Sequence, residues 1–395
     1  MKKRQIFLGD IEINDLAKKY ISEIIKSRRL TYGPFTQKLE KKFAQLHNSN
    51  WAIFTSSGTG ALQAGIACLK ETNEWQDGDE ILVPAISFVA TANTVYQMKL
   101  KPVFVDVDKK TFNIDPYKIE KHLSKKTKAI MPVHLLGLPA NMDKIMKIAK
   151  KHNLEVIEDS CDAMFVKTDN KSVGSFGEVA AFSTYAAHLL PTGVGGFLIG
   201  NSSKKEKIAR SYIFHGRHCD YLSIDDDDKK TKAMQILKNR FRFDRIGSNF
   251  RTTEIEAAIG LSLLNKNKHQ IYIKKRQELG RLLIKHLSVF DKDLQLPYIP
   301  KKSEHAFMMF PIIIKNRSIN KWKLINFLED KGIETRELLP LLNQHAYIKT
   351  FGNIEKNYPV AQNINKNGFY FGCHHRMTKL DVKYITSIFH EFLSK

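Results

Sequence analysis

The 395-residue sequence predicts an α/β fold: a large unit with a mostly parallel sheet over residues 1–255, and a smaller α+β unit over 256–395. Three observations predict it. From about residue 50, short β-branched apolar runs alternate with segments of helical periodicity, the pattern of a parallel sheet covered on both faces. Small residues and carboxylates gather where those runs end, which is where such sheets bind ligands. After about residue 250 the alternation gives way to long amphipathic helix and then to mixed strands and helices.

Taken in order, WAIFTS (51–56) reads as a strand and GTGALQAGIACLKE (58–71) as a helix. EILVPAISF (80–88) is a strand and VATANTVYQM (89–98) a helix. KPVFVDV (101–107) and KAIMPVHLLG (128–137) are strands. MDKIMKIAKKH (142–152) places Ile145, Met146, Ile148 and Ala149 at helical spacing, and LEVIEDS (154–160) is again a strand. Ala180 to Tyr185 and Gly196 to Gly200 are two apolar runs around a Gly-rich turn that contains His188. The charge-segregated stretch 220–239, with four consecutive aspartates, reads as an exposed loop, because it lacks the spaced pattern of a calcium loop. From Thr253 one long amphipathic helix is predicted, to about Leu287. AFMMFPIIIK, INKWKLINFLEDKG and IETREL then supply the smaller unit.

Hydrophobic residues make up 43% and charged residues 26%, values of an ordinary globular protein whose length suffices for a large core. The net charge of +22 admits a nucleic-acid or anionic-membrane partner. The lysines are scattered in ones and twos, however, and no zinc-finger, basic-zipper or RNP pattern is present, so neither partner is expected. Attraction of anionic small molecules, phosphates included, is the expected consequence. Cys68, Cys161, Cys219 and Cys373 form no C-x-x-C pair, so no metal or cluster is expected, and sparse thiols fit a cytoplasmic location. The N-terminus meets Asp10 before any sustained apolar stretch and does not read as a signal peptide, and no run is long and apolar enough to span a membrane.

Several strand ends carry groups with chemical potential. At TSSGTG, Ser57, Gly58 and Thr59 lie where a helix begins; free N–H groups and the helix dipole there suit a phosphate, and equally a tight turn with an N-cap. Asp159 follows a buried strand and needs a partner; a protonated ring nitrogen would serve, and so would a helix N-cap. Phe88 suits stacking on a flat ring or simple core packing. Ser183 is a further hydroxyl, and Asn249 and Arg251 offer donors ahead of a helix. An isolated His188 reads first as a core histidine.

The order of these segments resembles the DegT/StrS-type family of pyridoxal phosphate (PLP)-dependent nucleotide-sugar enzymes, part of the aspartate aminotransferase (PLP fold type I) group. The resemblance runs from SRRLTYGPFTQKLEKKFAQLH through SSGTGALQAGI, VPAISFVATANTV, PVHLLGLPANMDKIMKIAKKHNLEVIEDSCDA and VGSFGEVAAFST to GSNFRTTEIEAAIG, nearly the whole chain. It implies an aspartate aminotransferase-like fold and a homodimer with shared active sites. Most members carry, at the position of His188, a lysine that bonds covalently to the cofactor. A histidine there, with Gly195 and Gly196 at the matching offset, is similar to the lysine-less sugar 3-dehydratases. Asp162 agrees, because aminotransferase members usually carry Gln at that position.

The resemblance implies a PLP or pyridoxamine phosphate cofactor, a nucleotide-sugar substrate and glutamate as amino donor. It makes His188 the acid/base and pairs Asp159 with the pyridine nitrogen. It places Asp162 at the ring hydroxyl, Phe88 on the ring, and Ser57, Gly58, Thr59 and Ser183 at the phosphate, with Asn249 reaching the phosphate of a neighbouring subunit. His215, Arg251, His374 and His375 are candidate substrate contacts. The expected reaction is loss of the C3 hydroxyl from a nucleotide-linked 4-keto-6-deoxy sugar. An aminotransferase and an inert cofactor-binding regulator are the competing readings.

Overall fold

The computed structural model describes residues 4–218, 239 and 241–394. Cys219 and the charged stretch through residue 238, read above as a loop, lie outside the described residues.

Seven strands form the main sheet, in the order β1 (Trp51–Thr55), β9 (Gly196–Gly200), β8 (Val179–Ser183), β5 (Glu155–Asp159), β4 (Thr127–Ile130), β2 (Glu80–Pro84) and β3 (Lys101–Val105). β9 pairs antiparallel with both β1 and β8, and the remaining pairs are parallel. The strands other than β9 therefore share one direction, and their carboxyl ends share one edge. Every residue of β1, β2, β8 and β9 is buried, as expected of strands covered on both faces. Helix α3 (Gly58–Thr72) contributes ten buried residues to this packing.

The KAIMPVHLLG run is a strand only to Ile130; Val133 makes an isolated bridge to Asp159, and Leu136 takes a left-handed φ of 55°. The helix predicted from Thr253 to Leu287 is two helices, Glu254–Leu264 and Lys268–Leu287. They part at Asn265–Asn267, where Lys266 and Asn267 are left-handed at φ 48° and 56°; asparagine tolerates that region, and the chain turns there.

The smaller sheet is antiparallel, in the order β10 (Leu294–Gln295), β11 (Met309–Ile314), β13 (Gly368–Gly372) and β12 (Thr335–Glu337). Its core joins Phe310, Phe369 and Phe371 to Leu283, Leu328 and Phe389. Ile6 belongs to the same core: its N–H donates to Gly332 O at 2.8 Å and its carbonyl accepts from Glu334 N at 2.9 Å. Residues 6–12 thus form a strap against the smaller sheet.

Two buried carboxylates organise distant segments. Glu254 is 1% exposed and accepts from the N–H groups of Gly33, Phe35 and Thr36 and from the Thr36 hydroxyl. It closes the first turn of α2 (Pro34–Leu46), favoured there by the helix dipole. Glu158 accepts from Gly174 N, Phe176 N and Gly177 N at 2.8, 2.6 and 2.8 Å, and lies 3.1 Å from His134 Nε2. Removing this carboxylate strands three amide donors in a dry site. Glu158→Ala is expected to cost at least about 3 kcal/mol, read as a lower denaturation midpoint.

Burial lowers the pKa values of several histidines outside the main cavity: His47, His269, His374 and His375 to about 4 and His305 to about 3. These groups fold neutral, whereas the unfolded chain takes up their protons near pH 6.5. Their contribution to stability is complete above pH 6.5 and is lost as pH falls toward 4. The melting temperature is expected to drop steeply across that window in a thermal scan.

Candidate active site

A cavity of about 920 Å³ opens at the shared carboxyl edge of the main sheet. Each strand end there delivers one part of the wall. After β1, Ser57 caps α3, its hydroxyl accepting from Gly60 N at 3.0 Å. That leaves the amides of Gly58 and Thr59, at the first turn, without intrahelical acceptors. A side chain on Gly58 would meet Cys161 Sγ at 2.7 Å and Ser183 Cβ at 3.1 Å, so glycine lets the neighbouring strand ends close on this turn. The helix starts at Gly58, with Ser57 as its cap. The phosphate and N-cap readings of this turn are compatible, because the Ser57 hydroxyl retains its own proton to donate.

After β2 comes Phe88, 62% exposed yet lining the cavity: a large ring with an open face. At the end of β5, Glu158 and Asp159 point to opposite sides of the sheet. Glu158 goes into the packed network above, and Asp159 to the cavity wall. Asp159 is 4% exposed; Thr91 Oγ1 donates to its Oδ2 at 2.7 Å and Cys161 N to its Oδ1 at 3.3 Å. It caps no helix, and its carboxylate keeps spare acceptor capacity. Asp162 also lines the cavity and accepts from Leu136 N at 3.0 Å; burial, helped by the charge of Asp159, raises its pKa to about 7.

After β8, Ser183 and the turn Tyr185 to His188 complete this side. His188 Nδ1 lies 2.8 Å from the carbonyl oxygen of Cys161. A carbonyl only accepts, so Nδ1 carries the proton and Nε2 holds the lone pair. Burial pushes the imidazole down to about 4 against that hydrogen bond, which keeps it neutral at pH 7. Among the described residues, no lysine lines the cavity.

The opposite wall comes from residues that the sequence reading missed. Leu8 to Ile11 of the strap face the cavity, as do Met308, Glu334, Arg336 and Tyr370. Arg336 donates to Glu334 Oε1 at 2.6 Å, and Glu334 Oε2 accepts from Leu8 N at 3.0 Å. No periodicity or motif marks these positions, which converge from opposite ends of the chain. Tyr185 had a local signal, standing two residues beyond the strand end at Ser183, and it too was missed.

Ser57, Gly58, Thr59, Phe88, Asp159, Asp162, Ser183 and His188 are thus brought together. Asn249, His215, Arg251, His374 and His375 are not among the lining residues. Asn249 is exposed; it bridges Phe214 and accepts from Arg251 Nε at 2.8 Å. His215 donates its N–H to Ser248 O at 2.9 Å in a left-handed turn. His374 and His375 are buried in the smaller unit, where His375 stacks on Tyr272 at 4.0 Å between centroids.

The sequence profile of the DegT/DnrJ/EryC1/StrS aminotransferase family matches residues 12–390. The chain belongs to that family. GDP-4-keto-6-deoxy-D-mannose 3-dehydratase of Escherichia coli O55:H7 is 30% identical over 91% of this chain and 93% of its own length. GDP-perosamine synthase of Escherichia coli O157:H7 is also 30% identical, over 95% of each chain. The solved structure of the Escherichia coli 3-dehydratase with bound hydrated PLP is 27% identical, with a TM-score of 0.87 over 98% of this chain and 100% of that one. The fold is accordingly that of the PLP fold type I enzymes, PLP is the cofactor, and the chain is a sugar aminotransferase or dehydratase of the DegT family.

The site fits that cofactor. The glycine turn with free amides and hydroxyls suits a phosphate, the buried Asp159 suits a protonated ring nitrogen, and the open Phe88 ring suits stacking. Among the described residues, no helix is long and apolar enough to cross a membrane.

Proposed function

We propose that this chain is a PLP/pyridoxamine phosphate-dependent dehydratase that removes the C3 hydroxyl of a nucleotide-linked 4-keto-6-deoxy sugar, with glutamate as amino donor. One observation carries the reading: the cavity presents the imidazole of His188 and, among the described residues, no lysine. Overall identity does not separate a dehydratase from an aminotransferase, since relatives of both kinds are 30% identical. The chemistry at position 188 supports the dehydratase. An amine bonds covalently to the cofactor aldehyde, whereas an imidazole forms no stable bond of that kind.

When bound, pyridoxamine phosphate supplies an amine for a sugar ketone and an electron-accepting ring. Ser57, Gly58, Thr59 and Ser183 hold the phosphate, Asp159 keeps the ring nitrogen protonated, Asp162 faces the ring hydroxyl, and Phe88 covers the ring. His188, neutral and with its Nε2 lone pair free, takes up a proton in the cavity. The imidazolium so formed returns that proton to the C3 hydroxyl oxygen, which leaves as water. The Cys161 carbonyl holds the ring orientation throughout. Loss of the hydroxyl leaves C3 reduced by two electrons, which glutamate supplies on becoming 2-oxoglutarate, and hydrolysis releases its nitrogen as ammonia and the product as a 3-deoxy-4-keto sugar.

The reading extends to a cytoplasmic homodimer in which Asn249 serves the neighbouring subunit's phosphate. The exposed position of Asn249, away from its own cavity, supports that role. The units 1–255 and 256–395 remain our proposed domains, with the strap 6–12 crossing from the first onto the second.

The test has two stages. PLP added to the purified protein is expected to dialyse away and to leave no borohydride-fixed mass; an adduct on any lysine overturns the reading. Glutamate and a panel of GDP-, CDP-, UDP- and dTDP-linked 4-keto sugars are then expected to give a deoxygenated product. An amino sugar instead identifies an aminotransferase.

A further inference from the structure

The strap makes one close main-chain contact at the wall of the cavity. A Cβ built on Gly9 would lie 2.6 Å from Ala187 Cα, 3.2 Å from Ala187 Cβ and 3.3 Å from Ala186 O. Two main chains therefore touch, one of them carrying His188 at the next residue. Gly9, Ala187 and His188 all line the same cavity.

Both sides of this contact are anchored. The strap is fastened before Gly9 by the Ile6 backbone bridge and by Leu8 N donating to Glu334 Oε2 at 3.0 Å. It is fastened after Gly9 by Asp10 with Arg376 at 3.0 Å and by Glu12 accepting from the Tyr272 hydroxyl. The histidine turn is held by His188 N donating to Tyr185 O at 2.9 Å, by the Nδ1 bond to Cys161 O, and at its far end by Thr192 N donating to Thr184 O at 2.8 Å and the bridge between Tyr185 and Gly193. Pressure across the contact is therefore shared by strap and turn, and Ala187 passes its share to His188, the next residue.

We propose that the N-terminal strap, through the bare backbone of Gly9, sets the position of the His188 turn, which makes Gly9 a positioning residue for the acid–base step. This inference rests on the role given to His188 above. It explains why a segment tied to the smaller sheet closes the cavity at the histidine of the larger one. A methyl group at position 9 pushes the turn outward, loosens the Nδ1 bond to Cys161 O and lets the other tautomer form.

The test compares wild type with Gly9→Ala. With ¹⁵N-histidine labelling of the cofactor-free protein, wild-type His188 is expected to be the Nδ1–H tautomer and the variant a mixture of tautomers. Turnover in the variant is expected to fall about 10- to 100-fold, with KM for the sugar nucleotide within about twofold, as a misplacement of about 1 Å at a reacting group does. Simple destabilisation would lower the folded fraction without mixing tautomers. The double variant Tyr272→Phe, Arg376→Gln, at positions outside the cavity lining, loosens the strap's anchors after Gly9 instead of pushing on the contact and is expected to mix the tautomers in the same way, so the inference stays testable if Gly9→Ala does not fold. A wild type lacking the Nδ1–H tautomer refutes the role of His188 itself. A wild type that has it, alongside variants that keep it at full turnover, refutes the strap.

Discussion

His188→Asn is expected to lower deoxygenation by about 10²- to 10⁴-fold, the range in which a positioned acid–base group contributes. Asparagine can still donate to the Cys161 carbonyl that now receives Nδ1, so the turn keeps its anchor, but its amide cannot accept a proton near neutral pH. Cofactor affinity is expected to change little, which separates chemistry from binding. The companion His188→Lys introduces an amine into a cavity that no lysine lines among the described residues. Its product with PLP is expected to be trapped by borohydride as a covalent mass increase on Lys, absent from wild type. Product analysis by mass spectrometry checks both variants. Full turnover in His188→Asn would show that another group moves the proton.

Asp159→Asn is expected to weaken PLP binding by about 10- to 100-fold, the equivalent of losing one charge-assisted hydrogen bond of about 1.5–3 kcal/mol. The carboxylate is 4% exposed, and Thr91 and the Cys161 amide fix its orientation. Asparagine preserves that shape and removes the charge that would hold a proton on the ring nitrogen. In a lysine-bearing site a covalent bond would mask such a loss. On the proposed reading nothing covalent retains the cofactor, so the dissociation constant measured by fluorescence titration reports it directly.

The sheet and the sheet-edge half of the site were legible because their signals are local. Apolar runs of strand length alternate with helical spacing, and each functional group sits within a few residues of a strand end: Ser57 after Thr55, Asp159 closing β5, His188 after Ser183. The single helix predicted from Thr253 failed where periodicity continues through Asn265–Asn267 while the backbone turns left-handed, a conformation that apolar spacing does not encode. The strap and the wall of Glu334, Arg336 and Tyr370 were not legible. The strap is too short for periodicity, and its function depends on which distant surface it meets. His374 and His375 are candidates by type; both are buried away from the cavity lining, and His375 stacks on Tyr272. Residue type identifies chemistry only when topology brings that residue to the strand ends.

The Glu254 carboxylate has a consequence for how this chain is made. Its partners at Gly33, Phe35 and Thr36 lie about 220 residues earlier, with a separation of 221 between Gly33 and Glu254. At about 5–20 residues per second, a ribosome needs roughly 10–45 s between delivering the first helices and delivering the acid that caps one of them. Until then the apolar side of α2 at Leu39 lacks the helix Glu254–Leu264 it will pack against. The nascent N-terminal helices therefore wait with an uncovered apolar face, and chaperone capture during synthesis is expected to concentrate on them.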